Sequence, residues 1–319
     1  MPLVVGIDEA GYGPTLGPLV VGATVWQVDR GADELDFWKA LDGCVCRAGR
    51  KADWRVVVDD SKAAYHRDDG IHTLERSVLA FARVAGLEMG SLAGLIGALG
   101  GSVFSLQALP WYRELEVPLP IDPGKSKFEA VSDRLRDTMN AAGVRIRTMR
   151  AMVVGERQYN TRVAATRNKA AVLIEQVFTL IDQAVKLGGD SDVHVHVDRL
   201  GGRSDYRALL AMTFPERGVH VLEQSETTSR YRVANDRSDW FIDFSTEADQ
   251  RHMGVALASM TAKYLREALM QRFNAFWKTL LPTVQPTAGY YVDAQRFLRD
   301  IDPVLRQAGV PVEQFVRAK

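Results

Sequence analysis

Residues 3–26 read LVVGIDEAGYGPTLGPLVVGATVW. Two apolar, β-branched runs, Leu3–Ile7 and Leu19–Trp26, flank a Gly/Pro-rich turn from Gly11 to Pro18. Short apolar runs bounded by turn residues have the pattern of buried strands, so the stretch predicts a β-hairpin. Asp8 and Glu9 stand side by side where the first strand meets the turn. Adjacent carboxylates in such a place repel each other unless they share a cation. A hard divalent ion such as Mg²⁺ takes oxygen ligands and needs only one or two carboxylates, because it keeps several waters. A solvated acidic turn is the competing reading of the pair taken alone.

Outward from the hairpin, Val144–Val154 alternates as a strand, and Val193, Val195 and Val197 alternate with His194 and His196 to end on Asp198. Further short strands are expected at Trp54–Val58, Val219–Leu222, Tyr231–Ala234 and Trp240–Phe244. Helical spacing marks Ile71–Val84, about Lys127–Ala142, Asn168–Leu187, Tyr206–Met212, His252–Phe276 and Val292–Arg299. Strands interleaved with helices predict an α/β fold, a mixed sheet flanked by helices. Asp198 ends a strand as Asp8-Glu9 does, and Asp249 lies just ahead of the helix holding Ala256–Lys263, where a simple N-cap is the plain alternative. Four acidic residues at element termini, with glycines beside the first pair, favour a metal cluster. His194, His196 and His252 read as strand-face or helix-surface histidines, not as ligands.

The stretch GIDEAGYGPTLGPLVVGATV resembles the N-terminal signature of the type 2 ribonucleases H, the ribonuclease HII and HIII family, with its DEAGRGP-like turn. The likeness continues in order. Asp60-Ser61-Lys62 is similar to the family's DSK, Tyr159-Asn160 with Asn168-Lys169 to its YN…NK, and Val197-Asp198 to its VD strand end. Ala248-Asp249 ahead of ALASMTAKYLRE is similar to its KGD…AASIxAKVxRD, and Thr287-Ala288-Gly289-Tyr290 to its KGY segment. The resemblance implies a single ribonuclease H-like catalytic domain over residues 1–319. It implies an endonuclease that cuts the RNA strand of RNA/DNA hybrids, or ribonucleotides embedded in DNA, leaving 5′-phosphate and 3′-hydroxyl ends. Carried over by position, Asp8, Glu9, Asp198 and Asp249 are the catalytic, metal-binding carboxylates for two Mg²⁺ or Mn²⁺ ions, one generating hydroxide and one stabilising the leaving oxygen. Gly11, Tyr12 and Gly13 would lie against the sugar edge, since a 2′-hydroxyl separates RNA from DNA. Ser61 belongs to the substrate-binding DSK, Lys62 would meet a phosphate, Lys263 would support the cluster or the backbone, and Tyr290 would stack near a sugar.

The chain departs from the family in places. Tyr12 replaces the central arginine of the turn, and segments 86–143 and 219–244 read as insertions. A non-catalytic or altered-specificity nucleic-acid-binding protein with the same fold is therefore the competing hypothesis. Forty basic against forty acidic residues give a formal net charge of zero, which excludes bulk charge as the means of holding nucleic acid. A local basic face remains open, and Arg145, Arg147, Arg150, Arg157, Arg162, Arg167 and Lys169 could form one or could be merely solvated. Two cysteines, Cys44 and Cys46, are too few for a disulfide framework or a four-ligand zinc site. From Met89 to Tyr112 no side chain is charged, a length that could span a bilayer, but five glycines, three serines, Gln107 and Pro110 make a packed insert the expectation. With no signal peptide read at the amino terminus, the expected compartment is the cytoplasm, and the expected state a monomer without membrane contact.

Overall fold

A computed structural model describes residues 1–29, 35–49, 54–65 and 70–318. In chain order the elements are β1 (Leu3–Ala10), β2 (Leu19–Val28), α1 (Phe37–Ala40), β3 (Val45–Cys46), β4 (Val56–Val57), α2 (Ser61–Ala64), α3 (His72–Val84), α4 (Leu92–Ala98), α5 (Val103–Gln107) and α6 (Glu129–Ala141). They continue as β5 (Val144–Val154), α7 (Glu156–Thr166), α8 (Lys169–Gly188), β6 (Val193–Asp198), α9 (Arg207–Thr213), β7 (Gly218–Gln224), β8 (Thr228–Ala234) and β9 (Asp239–Ser245). The chain closes with α10 (Ala248–Arg251), α11 (Met253–Leu280), α12 (Tyr291–Ile301) and α13 (Val312–Phe315). Seven strands form one mixed sheet in the order β5-β2-β1-β6-β9-β8-β7, with β1, β6 and β9 parallel and the other pairs antiparallel. The expected α/β fold with a helix-flanked mixed sheet is present. The strands expected at 219–244 are present too, and they extend this same sheet beyond β6.

Alternation along the strands sorts residues between the two faces. Leu3, Val5 and Ile7 of β1, Val193, Val195 and Val197 of β6, and Trp240, Ile242 and Phe244 of β9 share one core with Val172, Val177 and Ile181 of α8. The opposite face of β1 and β2 lies under α11, which crosses it closely. A Cβ on Gly6 would sit 2.2 Å from the carbonyl carbon of Gly254, and one on Gly22 2.4 Å from the carbonyl oxygen of Ala258. Only glycine permits that approach, which brings the N-terminal half of α11 to the strand ends.

The second core gathers α11, α3, α6 and the uncharged stretch. Leu92, Leu95, Ile96, Leu99, Leu106, Leu109, Trp111 and Tyr112 of that stretch face this core, while Phe104 stays exposed. Trp111 meets Phe273, Trp277 and Phe315 with ring centroids 5.3, 6.1 and 5.4 Å away. Among the described residues no helix is long and apolar enough to cross a membrane.

Candidate active site

The parallel register of β1 and β6 sets Ile7 beside Val197, so Asp8 and Asp198 leave the sheet at one edge. The third contributor arrives through α10. Glu247 holds a left-handed backbone (φ 54°), a conformation uncommon outside glycine, and directly after it the Ala248 N–H donates to Asp198 Oδ1 at 3.0 Å. Asp249 therefore sits in the first turn of a short helix ahead of α11, not at its N-cap, which is His252. Arg47 bolts this arrangement down. Its guanidinium donates to Asp59 Oδ1 at 3.1 Å and to the Gln250 carbonyl at 2.7 Å, and it stacks on Trp38 at 3.6 Å. Sequence reasoning missed Arg47, because no spacing rule links residues 47, 59 and 250.

Burial raises all four carboxyls, and repulsion from neighbouring acids adds to it at Asp8, Glu9 and Asp249. Asp8 is raised well above the usual carboxylate range by burial, then by Glu9 and Asp198. Glu9 is pushed up by burial and Asp198, and Asp198 by its own burial. Asp249 rises to about 6 through burial, Asp60 and Asp198. Lys62 opposes these shifts at Glu9, Asp198 and Asp249, which places its exposed ammonium within reach of the cluster. The Asp60 side chain caps α2 by accepting from the Lys62 N–H at 2.9 Å. Ser259 on α11 hydrogen-bonds the Asp8 carboxyl, and its Oγ lies 3.1 Å from Ser61 Oγ, so Ser61 lies one hydroxyl away from the carboxylates. Glu9 Oε2 is buried and has no hydrogen-bond partner in the protein. An orphaned carboxylate oxygen amid repelling acids fits a cation, and an all-oxygen donor set fits a hard one. Asp8, Glu9, Asp198 and Asp249 could hold such an ion.

The glycine-rich turn is clamped from behind. Gly11 takes φ +90°, and a Cβ there would lie 2.5 Å from the Pro18 carbonyl oxygen. Arg317 donates to the carbonyls of Gly11 and Tyr12, the latter at 3.2 Å, while stacking on Tyr159 at 3.9 Å. Thr15 and Leu16 N–H groups donate to Gly289 O at 2.8 and 3.1 Å. Asn160 fastens the tail by donating to Glu313 and Val316 carbonyls and accepting from the Ala318 N–H. Gly13 has open space where a Cβ would be. Tyr12 is partly buried beneath the Lys169 ammonium, 5.6 Å above its ring, and its hydroxyl is pushed up by burial, Tyr159 and Glu9. Tyr290 is 53% exposed, with Arg266 5.7 Å from its ring.

Lys263 pairs with Glu267 at 2.8 Å and covers Tyr65. Within the arginine run, Arg150 pairs with Ala23, one residue from the strand partner of Asp8. Arg145 and Arg147 lie on edge strand β5 level with Gln27, at the far end of the strand pair from Glu9, whose partner is Val21. Arg162 is spent on Glu175. Lys169 lies against the turn, over the Tyr12 ring. The histidines are not independent surface residues either, since His196 and His252 stack on each other beside Asp243.

No protein-family profile and no curated protein matches the chain. Among solved structures it is similar to the ribonuclease HII of Archaeoglobus fulgidus in its complex with PCNA, at 15% identity and a TM-score of 0.45 over 99% of this chain and 94% of that one. It is similar to ribonuclease H2 from Pyrococcus horikoshii at 15% identity and 0.41, covering 98% and 92%. A third likeness is to Bst-RNase HIII in complex with Mn²⁺, at 13% identity and 0.41, covering 99% of this chain and 66% of that one. Likeness at these values concerns the course of the chain and says nothing of activity.

Proposed function

We propose that the chain is a divalent-metal-dependent endonuclease of the type 2 ribonuclease H class. It hydrolyses the RNA strand of RNA/DNA hybrids, or ribonucleotides embedded in DNA, and leaves 5′-phosphate and 3′-hydroxyl ends. The observation that carries this reading is the convergence of Asp8, Glu9, Asp198 and Asp249 with an unpartnered, buried Glu9 oxygen. The order of the sequence motifs around them supports it. When bound to these carboxylates, two Mg²⁺ or Mn²⁺ ions supply an activated water and neutralise the leaving 3′-oxygen.

The chain's own residues do the rest. Lys62 beside the cluster receives the negative charge of a phosphate. The Ser259 hydroxyl fixes the Asp8 carboxylate, so its lone pairs keep one direction. The clamped turn offers Gly13, with no side chain in the way, to the edge of a ribose. The exposed ring of Tyr290 provides a flat apolar surface for a sugar or base. Tyr12 is the observation that favours an altered preference at an RNA–DNA junction. Its ring lies under Lys169 and offers no guanidinium to the groove.

The test is cleavage of matched duplexes carrying one, four or many ribonucleotides, with Mg²⁺ and Mn²⁺ compared. We expect metal-dependent cutting that falls at least about a thousandfold in Asp8→Asn and in Asp198→Asn, with unchanged circular dichroism. Tyr12→Arg is expected to shift the preference among the duplexes. Binding of hybrid without turnover under either metal would replace this reading with that of a non-catalytic binder.

A further inference from the structure

Beyond α11 the sheet face over β6, β9 and β8 is not covered in the way β1 and β2 are. Strand alternation places His194, His196 and Asp198 on that face of β6, and Phe241, Asp243 and Ser245 opposite them on β9. A cavity of about 710 Å³ opens there, lined among others by His194, His196, Arg230, Asp243, Arg251 and His252. Asp8, Glu9, Asp198 and Asp249 do not line it. Inside it the His196 ring lies parallel to the His252 ring, with centroids 3.8 Å apart and planes 10° apart. His196 Nδ1 is 2.7 and 2.8 Å from the two oxygens of Asp243, which is buried. One ligand atom from each of the three residues lies within 4.8 Å of the others.

We infer that His196, Asp243 and His252 form a second metal site, selective for a first-row transition ion of the Zn²⁺ type and separate from the carboxylate cluster. Imidazole nitrogens suit Zn²⁺, Co²⁺ and Ni²⁺, whereas the cluster at Asp8 offers only oxygens, which suit Mg²⁺ and Mn²⁺. The two sites thus sort ions by ligand softness. Three protein ligands leave a fourth position on the cavity side for water or an anionic group, with Arg230 and Arg251 on the same wall. The parallel rings must tilt apart to aim at a common ion, and the cavity gives them space to turn. Nothing in this inference depends on nuclease activity.

The full-length chain carrying Asp8→Asn and Asp198→Asn isolates the histidine site. Titrated with Co²⁺, the metal-free form of this variant should develop visible d–d absorption that saturates at one equivalent and is displaced by Zn²⁺. Adding His252→Phe keeps an aromatic ring on His196 and should weaken Co²⁺ binding about tenfold or more. X-ray absorption of the Zn²⁺-loaded parent variant should report imidazole nitrogens around the ion, a result that stands even where His252→Phe does not fold. Absence of the d–d bands, an undiminished titration in a folded His252→Phe chain, or an all-oxygen ligand shell would overturn the inference.

Discussion

Gly11 and Gly13 flank the same tyrosine and answer to different constraints. Gly11 is held at φ +90° against the Pro18 carbonyl, so Gly11→Ala should cost about 1–3 kcal/mol, read as a lower melting temperature. Gly13 faces open space, so Gly13→Ala should melt within about 0.5 kcal/mol of wild type while losing cleavage of hybrids, because the new methyl stands where the sugar must come. A Gly13→Ala chain with full activity would show that the turn does not read the ribose. At this scale the sequence was most informative about the carboxylates, since strand ends and motif order singled out all four. It was least informative about side chains whose partners are remote. His196 and His252 looked unrelated because a strand and a helix start separate them, and Arg317 carried no signal at all.

Between elements, Glu156 in the first turn of α7 is fully buried and accepts from Tyr112 Oη at 3.1 Å. Burial pushes its carboxyl up to about 7. A raised carboxyl holds its proton in the folded state, so its contribution is present in full below the unfolded value near 4.5 and is lost as pH rises through about 7. The loss is on the order of 3 kcal/mol. Glu156→Gln keeps the acceptor and should flatten the fall in melting temperature between about pH 5 and pH 7. The part of the slope that remains, due to Asp249 and its neighbours, should shrink or reverse on adding Mg²⁺, since a bound cation favours the ionised carboxyls and opposes those shifts. Calorimetry across that range, with and without the ion, checks both. The hairpin of β1 and β2, strand β5 and helices α8 and α11 were legible because each is long and its apolar pattern follows one period. Helix α7 was not, because its buried apolar positions are few, Tyr159 and Val163. Alternation named β9 as a strand without naming β6 as its partner, for period alone carries no information about neighbours.

Across the whole molecule a net charge of zero conceals separation. Four acids gather at one sheet edge, while the arginines of residues 145–167 are spread along β5 and α7. The tail connects the most distant parts of the chain. Arg317 is buried and clamps the turn through the Gly11 and Tyr12 carbonyls. Arg317→Ala would leave those carbonyls without their donor, at about 1–3 kcal/mol. We expect a folded protein whose residues 11–17 exchange amide hydrogens faster and whose cleavage rate falls, with the rest of the sheet unchanged. Uniform loss of protection would instead make Arg317 a residue of global stability.

That clamp also sets a schedule. Gly11 and Arg317 are 306 positions apart, so the turn is synthesised long before the side chain that clamps it. Such long-range closure is slow to form and comes late in folding. A nascent chain therefore carries Asp8 and Glu9 without Asp198 and Asp249 until those residues are made, and without a fixed turn until Arg317 follows them. Completion of the pocket is in effect a signal that the chain has been made through to residue 317.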